Sequence, residues 1–205
     1  MKTEPQKGDI TQRHNARMAR KKAVIDAGIA RATIDRGLLL VLTGNGKGKS
    51  SSAFGMVARS MGHGMKVGVA QFIKSRTDTG EEAFFCRHPG IEWHVLGDGF
   101  TWETQNRESD IATAQRGWQV AQRMLSDPSI NLVVLDELTY MLKYGYLEQD
   151  AVLHDIANRP PMQHVVVTGR GAPPALIELA DTVSEIADEK HAYRAGVKAQ
   201  KGVDL

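Results

Sequence analysis

The run Thr43-Gly44-Asn45-Gly46-Lys47-Gly48-Lys49-Ser50-Ser51 constrains this chain more than any other stretch of it. It follows the apolar run Leu38 to Leu42 and opens into a helical pattern from about Lys49 to Met61. A strand that passes through glycines into a helix starting Lys-Ser is a phosphate cradle. Glycines let successive N–H groups turn inward, the helix start adds unsatisfied donors and its dipole, and the Lys49 ammonium can bridge phosphate oxygens. The Ser50 hydroxyl is then available to Mg²⁺. The candidate nucleotide-binding set is Gly44, Asn45, Gly46, Lys47, Gly48, Lys49 and Ser50. A glycine turn without a ligand would need neither Lys49 nor Ser50. One departure stands out: the pattern G-x-x-x-x-G-K-[ST] would put glycine at position 43, whereas this chain has Thr43 with Gly44 next. Phosphate binding survives that shift, but the standard geometry for attack on a γ-phosphate is not implied.

Short β-rich runs alternate with helical patterns through the rest of the chain. Strands are expected at Val67 to Phe72, Ile91 to Leu96, Leu132 to Leu135, His164 to Val167 and Thr182 to Ile186. Helices are expected from about Thr104 to Leu125, Glu148 to Asn158 and Pro173 to Ala180, and the helix after the cradle should stop at Gly62-His63-Gly64. Thr79-Gly80 and His88-Pro89-Gly90 punctuate what reads as a polar loop. Continuously apolar strands alternating with helices predict an α/β fold with a mostly parallel sheet covered on both faces. The ligand belongs at the carboxyl ends of the strands, where the loops after Leu42, Leu135 and Val167 would meet.

At 205 residues the chain suits one good-sized core, and 41% hydrophobic with 24% charged residues is ordinary for a globular protein. The charge is unevenly spread. Residues 1–36 hold nine Lys or Arg against four Asp or Glu, and the remainder is net acidic. We therefore divide the chain into a basic helical extension, residues 1–36, and a P-loop domain, residues 37–205. Gln12 to Ile34 favours a solvated helix that Gly28 weakens. Arg13, Arg17, Arg20, Lys21 and Lys22 have no aromatic platform between them, so a nucleic-acid partner is not expected. The longest apolar run falls far short of the ~20 residues of a membrane span, and the polar start lacks a signal-peptide core, which predicts a soluble cytoplasmic protein. Cys86 is the only cysteine, excluding an internal disulfide or a cysteine-built zinc site. We expect it to be a small buried or half-buried apolar residue.

Leu132 to Glu137 is four apolar residues followed by two acids, the pattern of a strand that delivers carboxylates to a phosphate cradle. Asp136 or Glu137 can hold Mg²⁺ directly or through water, and Glu137 can instead activate water as hydrolytic ATPases do. A solvated loop start or a helix cap is the plainer reading of two such acids. From these residues alone an ATPase and a regulatory nucleotide-binding module both stay open.

Further blocks narrow this: Gly99-Phe100-Thr101-Trp102-Glu103-Thr104-Gln105-Asn106, Leu135-Asp136-Glu137-Leu138-Thr139-Tyr140, Thr168-Gly169-Arg170-Gly171 and Ala195-Gly196-Val197-Lys198-Ala199-Gln200-Lys201-Gly202. With the cradle, they resemble the ATP:corrinoid adenosyltransferases, from Arg36 to Leu205. The resemblance implies a RecA-like sheet, a homodimer, Mg²⁺-ATP and a corrinoid acceptor, with a reduced flavin or flavoprotein as electron donor. It implies that Gly44 to Ser50 hold the triphosphate, that Ser50 and Glu137, with Asp136 beside them, serve Mg²⁺, and that Lys49, Phe100 and Trp102 are catalytic. Phe100 and Trp102 would lie against the corrinoid; taken alone, two aromatics at this spacing read as one strand face entering a core. Ser50 replaces the threonine common in the family and presents the same hydroxyl. The basic extension is expected to order over an active site when corrinoid binds.

Overall fold

The computed structural model describes residues 7–73, 79–97 and 107–204, with side chains from residue 10 onward. Phe100 and Trp102 lie outside the described residues. The chain divides into two compact units, Met1–Asp35 and Arg36–Leu205.

The first unit is helix α1, Lys7–Arg31. It starts before the expected Gln12 and runs through Gly28. Ile10, Val24, Ile25 and Ile29 are exposed on it, as expected of a solvated helix.

The second unit is a six-stranded sheet, every neighbouring pair parallel, in the order β3-β2-β4-β5-β1-β6. Its strands are β1 (Leu39–Thr43), β2 (Val67–Gln71), β3 (Ile91–Val95), β4 (Leu132–Asp136), β5 (His164–Thr168) and β6 (Thr182–Glu185). Between them come α2 (Lys49–Gly62), α3 (Gly80–Phe85), α4 (Arg107–Ser126), α5 (Leu138–Lys143), α6 (Gln149–Ala157) and α7 (Pro174–Leu179), and a 3₁₀ turn at Ala192–Ala195 follows β6.

Period-two alternation sorts the strand residues onto two faces. Leu39, Val41, Val133, Leu135, Val165 and Val167 point into one core. There α4 lays down Ala114, Trp118, Ala121, Met124 and Leu125, a stripe at helical spacing. Leu42, Leu132, Val134 and Val166 point into the other, against Ala53, Phe54 and Val57 of α2 and Phe85 of α3. Helices thus cover both faces, as the continuous apolar runs predicted. Helix α2 stops as expected: Gly64 takes φ 73, and the Met65 N–H reaches back to the Ser60 carbonyl at 3.0 Å.

Three elements were not foreseen. Helix α3 replaces part of the expected polar loop, with the Thr79 hydroxyl accepting from the Glu82 N–H. Helix α5 follows Glu137 directly, and the 3₁₀ turn lies in the terminal segment. Cys86 corrects the sequence expectation: it is exposed at the end of α3, because the helix turns Phe85 inward and leaves the next position on the outside. What burial it has, together with the Glu82 carboxylate, still pushes its thiol above the ordinary range. The native protein should therefore react with one equivalent of a thiol reagent, at a rate still climbing with pH past the range of a free cysteine. Labelling seen only after denaturation would contradict the exposed position.

Candidate functional site

Polar residues occupy the carboxyl ends of four neighbouring strands: Gln71 on β2, Asp136 on β4, Thr168 on β5 and Thr43 on β1. All four are buried, in strands otherwise apolar at every buried position. They form the floor beneath the loops after β1, β4 and β5, which adjacency in the sheet brings together as expected.

The loop after β1 is stitched to the chain after β6. The Ile186 N–H donates to the Thr43 carbonyl at 2.9 Å, and the Gly46 N–H donates to the Ile186 carbonyl at 2.8 Å. A β-carbon on Gly46 would sit 2.2 Å from the Ala187 carbonyl oxygen, so the close approach admits only glycine. Gly48 has open space around it but takes φ 111 at the start of α2, which is its own reason for being glycine.

Lys49 folds back over this loop. Its ammonium donates to the Gly44 carbonyl at 2.8 Å and to the Gly46 carbonyl at 2.6 Å. Burial pulls its pKa below the usual lysine range. The Arg170 guanidinium adds to the drop, the Glu137 carboxylate opposes it, and Lys47 contributes a smaller push in the same downward direction. Two further cations and one carboxylate therefore lie within electrostatic reach of Lys49, a surplus of positive potential suited to a polyanion.

A cleft of about 770 Å³ opens here, bordered by Lys49, Ser50, Glu137, Tyr140 and Arg170, with Phe84 and Phe85 on one lip. Residues Gly202 to Asp204 form another wall. Lys47, the extra lysine of the loop, forms an ion pair with Asp204. Asp204 also accepts from the Gln200 N–H at 2.9 Å.

The two acids after β4 part company. Asp136 is fully buried; Oδ1 accepts from the Thr168 hydroxyl at 2.7 Å and Oδ2 from Gln71 Nε2 at 3.0 Å. Glu137 borders the cleft. It holds φ 63, and no other described non-glycine residue has a positive φ. A strained backbone of this kind costs about 1–3 kcal/mol and is maintained only where the surroundings impose it.

The structure thus brings Gly46, Lys47, Gly48, Lys49, Ser50 and Glu137 to one cleft and sets Asp136 beneath it. Tyr140, Arg170 and Asp204 were not singled out from sequence. The first two lie inside motif blocks quoted above, whereas Asp204 had no local signal. Among the described residues no three His, Cys, Asp or Glu side chains cluster to hold a metal. Two oxygen donors, Ser50 and Glu137, nevertheless border the cleft, a set that suits Mg²⁺ arriving with substrate phosphates.

Comparison with known proteins identifies the family. Residues 35–205 match the family described as ATP:corrinoid adenosyltransferase BtuR/CobO/CobP, and residues 10–29 match Cob(I)alamin adenosyltransferase N terminal. A corrinoid adenosyltransferase of Pseudomonas aeruginosa is 65% identical, over 95% of this chain and 96% of its own. One from Escherichia coli K12 is 51% identical over 94% and 98%, and Corrinoid adenosyltransferase CobA of Salmonella typhimurium is 50% identical over 94% and 98%. This chain belongs to the ATP:corrinoid adenosyltransferase family.

Proposed function

We propose that the cleft binds the triphosphate of Mg²⁺-ATP so that the cobalt(I) of a corrinoid can attack the ribose C5′. Transfer of the adenosyl group of ATP to a corrinoid is the activity of the family. The observation supporting this site for it is the Lys49 ammonium held over the glycine loop, on the cleft that Glu137 also borders. In the step itself a cobalt–carbon bond forms and the C5′–oxygen bond breaks, its electron pair leaving on inorganic triphosphate. Cobalt(I) is the nucleophile, so no protein base is needed. What the chain contributes is positioning and stabilisation of charge on the departing oxygen. The loop amides, Lys49 and Arg170 supply fixed positive ends. Ser50 and Glu137 would hold Mg²⁺, with Asp136 behind them, and the ion would neutralise further triphosphate charge.

Phe100 and Trp102 are assigned to the corrinoid, as apolar bulk that displaces the axial ligand of cobalt(II) and makes its reduction feasible. A reduced flavin or flavoprotein as donor, a homodimer and a cytoplasmic location complete the proposal. No described helix is long and apolar enough to cross a membrane.

Incubating the protein with ATP, Mg²⁺ and chemically reduced cobalamin should yield a light-sensitive cobalt–carbon product. Lys49→Ala should lower that rate by about 10² to 10³ with the fold intact, the usual worth of a preorganised donor to developing charge. Activity within threefold of the parent would remove the loop from the mechanism. Replacing both Phe100 and Trp102 with alanine should lower transfer to pre-reduced cobalt(I) only modestly. Transfer from cobalt(II) with a weak reductant should fall by orders of magnitude, and equal losses in the two assays would leave the aromatics a binding role alone. Deleting residues 1–34 should weaken corrinoid use far more than ATP binding; unchanged corrinoid kinetics would deny the extension a part in the reaction.

A further inference from the structure

We infer that Thr168 is a positioning residue for Glu137, and that Asp136 acts on bound Mg²⁺-ATP through Thr168 and not as a ligand. The inference rests on the proposal above that Glu137 serves Mg²⁺.

Glu137 occupies a left-handed backbone position for which a glutamate has no intrinsic preference. Its N–H donates to Thr168 Oγ1 at 2.9 Å. That hydroxyl has one proton and gives it to Asp136 Oδ1, which leaves its lone pairs to face the Glu137 amide. The carboxylate thereby fixes the direction of the bond. Its other oxygen is engaged by Gln71, whose own Oε1 accepts from Trp93 Nε1 at 3.1 Å. The relay runs Trp93, Gln71, Asp136, Thr168, Glu137, and its middle three members are buried.

A second contact pins the same corner. The Thr139 hydroxyl donates to the Arg170 carbonyl at 3.0 Å, tying α5 to the loop after β5. Gly169, at φ 138, packs so closely that a β-carbon would lie 2.0 Å from Thr139 Oγ1. Glu137 is therefore held through its own amide by Thr168 of β5, and the turn that follows it is tied down by the loop after β5. Partners of this kind behind a metal ligand are typically worth about 10- to 100-fold in metal affinity.

The test is ATP binding by calorimetry without corrinoid, as a function of Mg²⁺ concentration. Thr168→Val keeps the side-chain shape and removes the hydroxyl. It should raise the Mg²⁺ requirement about tenfold, leave metal-free ATP binding unchanged, and be rescued by Thr168→Ser. Val165→Ala, which loosens the core side of β5 without touching the relay, serves as the stability control and should stay within threefold of the parent. Glu137→Gln reports on the underlying proposal. If it leaves the Mg²⁺ requirement unchanged, the assignment of Glu137 fails. If it raises the requirement while Thr168→Val does not, the positioning role fails. Equal shifts in Thr168→Val and Val165→Ala would mean general loosening and would also overturn the inference. Thr168→Ala carries the same comparison should the valine variant not fold.

Discussion

The Asp136 carboxylate, wholly buried at the end of β4, is the constraint around which the rest of the site is arranged. A carboxyl group out of water is tolerated only when its polar atoms have partners, and here that requirement falls on β2 and β5. Gln71 and Thr168 meet it from either side. Register does the placing: Gln71 pairs with Asp136 across β2 and β4, and Thr168 ends β5 alongside. Strand β1 adds Thr43, whose hydroxyl accepts from the Ala172 N–H at 3.3 Å. One layer of polar side chains therefore closes the apolar core and supports the loops above it.

The opposite edge of the sheet is built for a different purpose. Asp181 accepts from the Leu39 N–H at 2.8 Å, and Arg159 reaches the carbonyls of Ile156, Gln163 and Gly37. The Gln163 side-chain amide serves three carbonyls, those of Met124, Asp127 and Ile130. These groups satisfy backbone donors and acceptors where segments enter the sheet. Substitutions there should register as stability, whereas those at the carboxyl edge should register as chemistry.

What was legible in the sequence was local. The apolar runs and the glycine loop gave the strands, α2 and the position of Lys49, because each depends on neighbours within a few residues. Thr79-Gly80-Glu81-Glu82 has the T-x-x-E form of a helix start, so α3 was available to a closer reading; six residues are simply too few for a periodic signal. The polar ends of the strands were also visible, as a Gln, an Asp and two Thr each closing an apolar run. Their partnership was not, since Thr168 and Asp136 are 32 residues apart and only sheet order makes them neighbours. Nothing in a glutamate announces a left-handed backbone, and nothing in spacing announces Asp204 beside Lys47, 157 residues away. Exposure of Cys86 turned on which side of α3 met the sheet, a matter decided by Phe85.

That pairing of Lys47 with Asp204 alters the charge an approaching nucleotide experiences. Counted by residue type, the loop and its surroundings offer three cations, but one of them already faces a carboxylate. At distances beyond about 8–10 Å, the reach of an unscreened charge in physiological salt, Lys47 and Asp204 largely cancel. Long-range attraction then comes from Lys49 and Arg170, less what the Glu137 carboxylate on the same cleft takes away. The ionic-strength dependence of ATP association should accordingly be shallower than three unpaired cations would give, and it should steepen when the acid at position 204 is neutralised.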